Sequence, residues 1–306
     1  MIALRTSLLA GCAVTALLCT AASAEDADGQ AQGDFAGYFD VFAAFNVGEE
    51  DGNPLSTDEW DGPQFSGAGH AAWRISRLVS VQVDGWFEHW SGSIGCSGLC
   101  KKSKKSASDD SAEVWAGLAK HVTFHVSPDL SFGTLFSYGY TSERPQKHAG
   151  VEGHFGNVAL EAVYARANHR LYAQLGYASG MSKYAEAWRS RDLYAQIVAT
   201  YYLSDQLAIS GTLGYEHYYE LNDDDYGWNS VNWGGQIEYQ HDGQPIVYYL
   251  AYSGEYGDWR DSDLTWNDHF IGGGVKFLFG ATSIRGRDNA VGLSDFNPLF
   301  GTTFRR

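Results

Sequence analysis

The chain has 306 residues, with 37 Asp and Glu against 21 Lys and Arg and a formal net charge of −16. Such acidity argues against a nucleic-acid partner, because a phosphate backbone repels it. Aromatics make up 15% of the residues and mean hydropathy is −0.29. Beyond the N-terminus no apolar run is long enough for a spanning helix, which leaves strands as the only route through a membrane.

In chain order, the first element is a secretory signal over residues 1–24. Arg5 supplies its positive region, Leu8 to Leu18 its apolar core, and Ala22-Ser23-Ala24 its small-residue cleavage site. A competing lipoprotein box, Leu9-Ala10-Gly11-Cys12, would leave Ala13 to Ala24 as an apolar stub. Cleavage after Ala24 removes Arg5, so 21 Lys and Arg become 20 against 37 Asp and Glu. Polar, Gly- and Ala-rich residues 25–35 read as a disordered leader.

Twelve segments of alternating apolar and polar residues follow. In the clearest, Leu207, Ile209, Leu213 and Tyr215 share one parity, while Ala208, Ser210, Thr212, Gly214 and Glu216 share the other. Successive strand side chains point to opposite faces, so each segment has one greasy and one polar face. The spacing predicts strands near 36–47, 65–75, 79–90, 114–127, 130–140, 159–166, 170–178, 191–203, 207–218, 231–240, 246–256 and 268–280. Their connections alternate strictly between short turns, such as Ser127-Pro128-Asp129 and Ala167-Asn168-His169, and long polar loops, such as Ser91 to Glu113. The pattern predicts an all-β fold, a transmembrane antiparallel up-and-down barrel of about 12 strands spanning residues 36–280. The even count places both barrel ends, and the turns, on the periplasmic side. Val151, Gly153 and Phe155 also alternate, but parity flips before Val158, which predicts a bulge or an extension of the strand above the membrane. Lys120 carries lipid-facing parity in an apolar row, and a bulge beside His121 would account for it. Residues 281–306 lose the alternation and read as a periplasmic tail, disordered or plugging the lower mouth.

If apolar residues face lipid, the opposite parity lines a lumen. Its charged candidates are Asp40, Arg74, Asp84, Glu88, Glu161, Glu216, Glu238 and Lys276, joined by His70, Gln82, His121, His125, Gln174, Gln196 and Gln236. Acids outnumber bases among them, which predicts a weak preference for cations. The alternative is that these charges pair across a filled interior that conducts nothing.

The end of the last strand, Gly272 through Gly274, Val275, Lys276, Phe277, Leu278 and Phe279, resembles the C-terminal assembly signal of outer-membrane barrels. Gly274, Phe277 and Phe279 stand at the matching places, although Gly272 replaces the usual large polar residue and the signal precedes the tail. Leu160-Glu161, Leu171 to Tyr177, Ala199 to Leu207, and Phe279-Gly280 with Ser283 to Asp288 resemble poorly characterised, porin-like barrel proteins of alphaproteobacteria. That resemblance implies twelve strands, with Ala167-Asn168-His169 as a turn, and an outer-membrane location.

Chemistry has few footholds. His125-Val126-Ser127 is similar to the His-x-Ser of lipid A deacylases, but Pro128 stands where that family carries Asn, and no third group orients the pair. Cys96 and Cys100 share one loop and predict a disulfide in an oxidising compartment. Asp223, Asp224 and Asp225 offer clustered hard oxygens and form a weak calcium candidate, without the EF-hand pattern. Lys101, Lys102, Lys104 and Lys105 suit lipopolysaccharide phosphates. The expectation is a passive channel for small hydrophilic solutes, with no enzyme activity, cofactor or nucleic-acid partner. Its expected partners are outer-membrane lipid, lipopolysaccharide and the barrel assembly machinery. The alternatives are a surface-binding barrel with a closed lumen and a lipid-active enzyme.

Overall fold

The computed structural model describes residues 35–51, 58–96, 109–145, 151–182, 189–220, 227–260 and 263–290. They form twelve strands: β1 (Phe35–Asp51), β2 (Asp58–Arg74), β3 (Val79–Cys96), β4 (Asp109–His125), β5 (Leu130–Pro145), β6 (Val151–Arg166), β7 (His169–Ser182), β8 (Arg189–Tyr202), β9 (Leu207–Glu220), β10 (Gly227–Gln240), β11 (Ile246–Trp259) and β12 (Thr265–Phe279). One helix, α1 (Ile284–Ala290), follows them. Every strand pairs antiparallel with its sequence neighbours, and β1 closes on β12. Closure leaves no unpaired backbone edge, the condition for strands in hydrocarbon.

Following inward partners around the barrel runs from Leu278 through Tyr38, His70, Asp84, Ala119, Ser137, Asn157, Ala178, Asp192, Tyr218 and Trp228 to Trp259. Trp259 then bonds to Leu264, so the circuit returns fourteen residues away from Leu278. With standard strand rise and spacing, that stagger tilts the strands by about 40° and sets a backbone radius of about 12 Å. The same row therefore starts at the turn end of β12 and finishes at the loop end of β11.

The outward face has three tiers. Leu118, Leu160, Leu175, Ile197, Leu213, Leu250 and Ile271 are exposed in the middle. Phe124, Phe132, Tyr164, Tyr201, Tyr239, Tyr248 and Phe277 ring the turn end, and Phe45, Phe65, Tyr138, Tyr177, Tyr215 and Tyr252 ring the loop end. An apolar belt between aromatic girdles is how a barrel matches a bilayer.

The turns share a device. The hydroxyls of Ser76, Ser127 and Ser204 accept from backbone N–H groups two or three residues ahead, at 3.1–3.3 Å. This fixes the chain reversal locally. The β6–β7 turn is only Ala167-Asn168, with Ala167 at φ 48. His169, expected in that turn, opens β7.

Neither place where the parity pattern is interrupted carries a bulge. Strand β6 starts at Val151 and keeps unbroken register with β5, so the segment is an extension without a bulge. Phe155 faces the lumen beside Trp115, which removes the apparent flip of parity. Likewise Lys120 pairs with Val83 in regular register, and its side chain is exposed on the outer face. Its long stem can lie along the apolar belt while the ammonium reaches toward the headgroups.

Candidate functional site

The lumen is where polar side chains gather, and its two ends differ. In the turn half, β2, β3, β4, β6 and β7 deliver a buried hydrogen-bonded chain. His70 Nδ1 lies 3.0 Å from Asp84 Oδ1, and His121 Nε2 lies 2.7 Å from Asp84 Oδ2. His121 Nδ1 lies 2.9 Å from Glu161 Oε2, and the Tyr172 hydroxyl donates to Glu161. Both ring nitrogens of His121 face carboxylates, so both donate, which requires both to carry a proton. Gln82 donates a further bond to Asp84 at 2.8 Å.

A second network crosses the opposite wall. Lys276 Nζ pairs with Glu238 Oε1, while Arg287 Nη2 reaches Glu238 Oε2 at 3.1 Å. Arg287 Nε donates to Asp288 at 2.6 Å, and the Tyr202 hydroxyl donates to the other Asp288 oxygen at 2.6 Å. Lys276 and Arg287 also stand over the Tyr38 ring, 5.2 and 5.0 Å from its centroid. Tyr249 donates to Asp40 at 2.9 Å.

Arg287 and Asp288 belong to α1, so the first part of the expected tail turns back into the barrel. Ile284 packs with Tyr202, Ala208, Val247 and Leu278 and is fully buried. Arg285 clamps the helix to the rim, donating to the Ala167 carbonyl at 2.7 Å and pairing with Asp205 at 3.4 Å. Gln240 holds the approach through the Thr282 carbonyl at 3.1 Å. Apolar seat, rim clamp and buried ion network together hold α1 in the turn-side mouth.

The loop half carries Glu88, Glu113, Asp192, Glu216, Glu255 and Asp268 on its inner face. Among the described residues, no Lys or Arg faces the lumen there. Asp268 accepts from Asn46 at 2.8 Å and from Trp60 at 3.4 Å. Above them, Tyr218 stacks on Trp228 with centroids 3.5 Å apart, and Trp228, Trp259 and Trp266 meet edge to face. Two glycines make room for lumen rings: a Cβ on Gly257 would sit 2.0 Å from Trp266, and one on Gly176 would sit 2.1 Å from Tyr194.

Two small cavities open among the described lumen residues. A cavity of about 50 Å³ lies among Gln196, Thr200, Ser210, Gln236, Glu238 and Lys276. Another of about 20 Å³ lies beside Asp40, His70 and Glu88. A water molecule needs about 10–15 Å³, so the first has room for a few waters and the second for one.

Asp40, Arg74, Asp84, Glu88, Glu161, Glu216, Glu238 and Lys276 all face inward, and all but half-buried Arg74 are buried. Asp84 and Glu161 meet through His121, and Glu238 meets Lys276 directly. Glu88 and Glu216 lie apart from both networks, in the loop half. Parity also marks Arg170, Asp192, Glu255 and Asp268 as inward, residues that a search limited to the clearest strands passes over. Arg287 and Asp288 leave no such signal, because strand alternation ends before them. His125 and Ser127 do not form a pair. The His125 nitrogens bond Ser80 at 2.9 Å and Ser131 at 2.8 Å, while Ser127 caps its own turn. The calcium candidate Asp223, Asp224 and Asp225, Cys100, the lysines of residues 101–105, the signal and the leader up to residue 34 lie outside the described residues, as does the side chain of Cys96.

No protein-family model and no curated protein sequence matches the chain. Solved structures do. The translocator domain of the autotransporter NalP from Neisseria meningitidis aligns with TM-score 0.52 at 14% identity, covering 90% of this chain and 98% of that one. The COG4313 outer membrane channel from Pseudomonas putida F1 aligns with TM-score 0.54 at 9% identity, covering 83% and 100%. The fold is that of the outer-membrane β-barrels. At such identities the likeness extends to architecture alone, and the side chains in the lumen are this chain's own.

Proposed function

We propose that this protein is an outer-membrane channel, a passive conduit for small hydrophilic solutes with a preference for cations, held shut at its turn-side mouth by α1. The observation that carries this reading is the axial arrangement of charge. A closed barrel presents acids at the loop end, where solutes would enter, and an ion-paired helix at the other end. A water-filled passage lined by one sign of charge concentrates counter-ions. One of the two barrels of like fold is itself an outer-membrane channel, which supports the reading. In this proposal the short turns face the periplasm, the loops face outward, and the signal is cleaved on export. The separation of His125 from Ser127 supports a protein without catalytic chemistry.

Planar-bilayer conductance tests this. The full chain is expected to open rarely, whereas a chain ending at Gly280 is expected to conduct steadily and to select cations. An Ile284→Asp variant, which keeps every residue of the tail, should behave like the shortened chain. Silence from all three would overturn the channel reading. It would favour the second reading, a structural or surface-binding barrel, which the small cavities and the two buried networks also support.

A further inference from the structure

The larger of the two lumen cavities, about 50 Å³, is walled by two bodies: the strands β8 to β10 and the helix α1. On the wall, Thr200, Ser210 and Gln236 are cross-strand partners in one row, and Val198 faces Thr212 one step toward the loops. The Thr200 and Ser210 hydroxyls lie 2.9 Å apart, and Gln236 donates to Glu238 at 2.9 Å. Gln196 stands farther along β8, and Arg287 and Asp288 close the cavity from α1. Two donors on this lining are unmatched. Among the described residues, Nη1 of Arg287 and Nε2 of Gln196 are buried without a hydrogen-bond partner, in residues 4% and 7% exposed. A buried donor left unpaired is costly, so each calls for an acceptor in the space beside it.

We infer that this cavity binds a small neutral polyol, of the size of glycerol, held between the wall and α1. The charges on the lining cancel: Lys276 and Arg287 are matched by Glu238 and Asp288, each already in an ion pair. Asp40 adds an acid beside Lys276 in the neighbouring cavity. A small anion would meet these carboxylates, and a small cation would meet Arg287 and Lys276. A neutral solute meets neither penalty. Hydroxyl groups match the rest, because each accepts from an N–H and donates to an oxygen. One polyol hydroxyl accepts from Arg287 Nη1 and another from Gln196 Nε2, while their own protons reach the hydroxyls of Thr200, Ser210 and Thr212. The volume has room for a few waters, and a glycerol-sized molecule displaces about that many. Because Arg287 and Asp288 come from α1, the site is complete only while α1 is seated. A solute bound there favours the seated helix, as any ligand favours the state that binds it. The binding stands apart from conduction; its effect on current rests on the channel reading.

Saturation transfer to glycerol protons, measured by NMR on the full-length protein in deuterated zwitterionic micelles, tests this. Propanol, sodium acetate and methylammonium chloride serve as comparisons, small solutes that carry a single hydroxyl or a charge. A saturable signal with glycerol in the millimolar range is expected, with each comparison at least about fivefold weaker. Gln196→Leu, which removes a donor and keeps the bulk, should weaken glycerol binding about fivefold, as for one net hydrogen bond. Thr212→Val should weaken it about threefold, and Ile284→Asp, which unseats α1, should abolish it. Heat-modifiable migration on gels reports whether each variant has assembled, and the near-isosteric Thr212→Val keeps the test available should another fail to do so. Three outcomes overturn the inference: no saturable transfer, which leaves water alone in the cavity; equal binding by the assembled variants; or tighter binding of acetate or methylammonium. In planar bilayers, glycerol should lengthen the closed periods of the full chain. A barrel that binds glycerol yet never conducts would keep this site and lose the channel.

Discussion

The turn half and the loop half of the lumen are built from the same alternating strands, yet they treat charge in opposite ways. In the turn half, opposite charges sit side by side. His121 lies between Asp84 and Glu161, and Glu238 lies between Lys276 and Arg287. In the loop half, acids face the lumen without inward Lys or Arg among the described residues. The contrast teaches that inward polarity serves two purposes. Internal pairing braces the wall and seats α1, whereas a lumen wall of one sign of charge attracts counter-ions.

The sharpest way to break this contrast is His121→Leu. It leaves Asp84 and Glu161 buried without their shared donor, and removing one partner of a buried pair costs about 3–5 kcal/mol. Urea unfolding in detergent should show that loss; a variant as stable as the parent would mean that the network does not brace the wall. Ile284→Ala should come next. Truncating a fully buried Ile costs about 2–5 kcal/mol where the site does not collapse, here mostly from the seating of α1. Bilayer recordings should show more frequent openings at little cost to barrel unfolding. In the loop half, the double change Glu216→Gln and Glu255→Gln removes two inward carboxylates while keeping side-chain shape, and its main effect should fall on selectivity. The reversal potential in a salt gradient should move toward the non-selective value. Smallest of all, Ser127→Ala removes a turn cap worth about 0.5–1 kcal/mol as a net hydrogen bond. It should slightly lower the denaturant midpoint and leave lipid A unaltered in mass spectra.

Much of the architecture was legible because the side-chain period of a strand is two. Leu207 to Glu216 reveals its faces directly, and the alternation of short and long connections counts the strands. Legibility ended where that period carried no information. Phe155 looked like a break in parity because an aromatic ring was read as lipid-facing, although lumen rings here lie over glycines or hydrogen-bond acids. Lys120 looked like a bulge because a lysine on the lipid face seemed too costly, although a long stem allows it. Among the candidate residues, parity placed Asp84 and Glu161 on the inner face. Only the stagger of the strands decides that they meet at His121 while Glu216 stays among other acids. Nothing in Ser283 to Asp288 announces a helix that turns inward, because its partners Tyr202, Glu238 and Asp205 come from other strands and turns.

The most direct test of the stoppered lumen is a reversible lock. Ile284→Cys and Val247→Cys, two residues of one buried cluster, are introduced with Cys96 and Cys100 changed to Ser. Single-channel current is then recorded under oxidising and reducing conditions. Current that vanishes on oxidation and returns with reductant is the predicted result. Equal current with the crosslink formed would contradict the account.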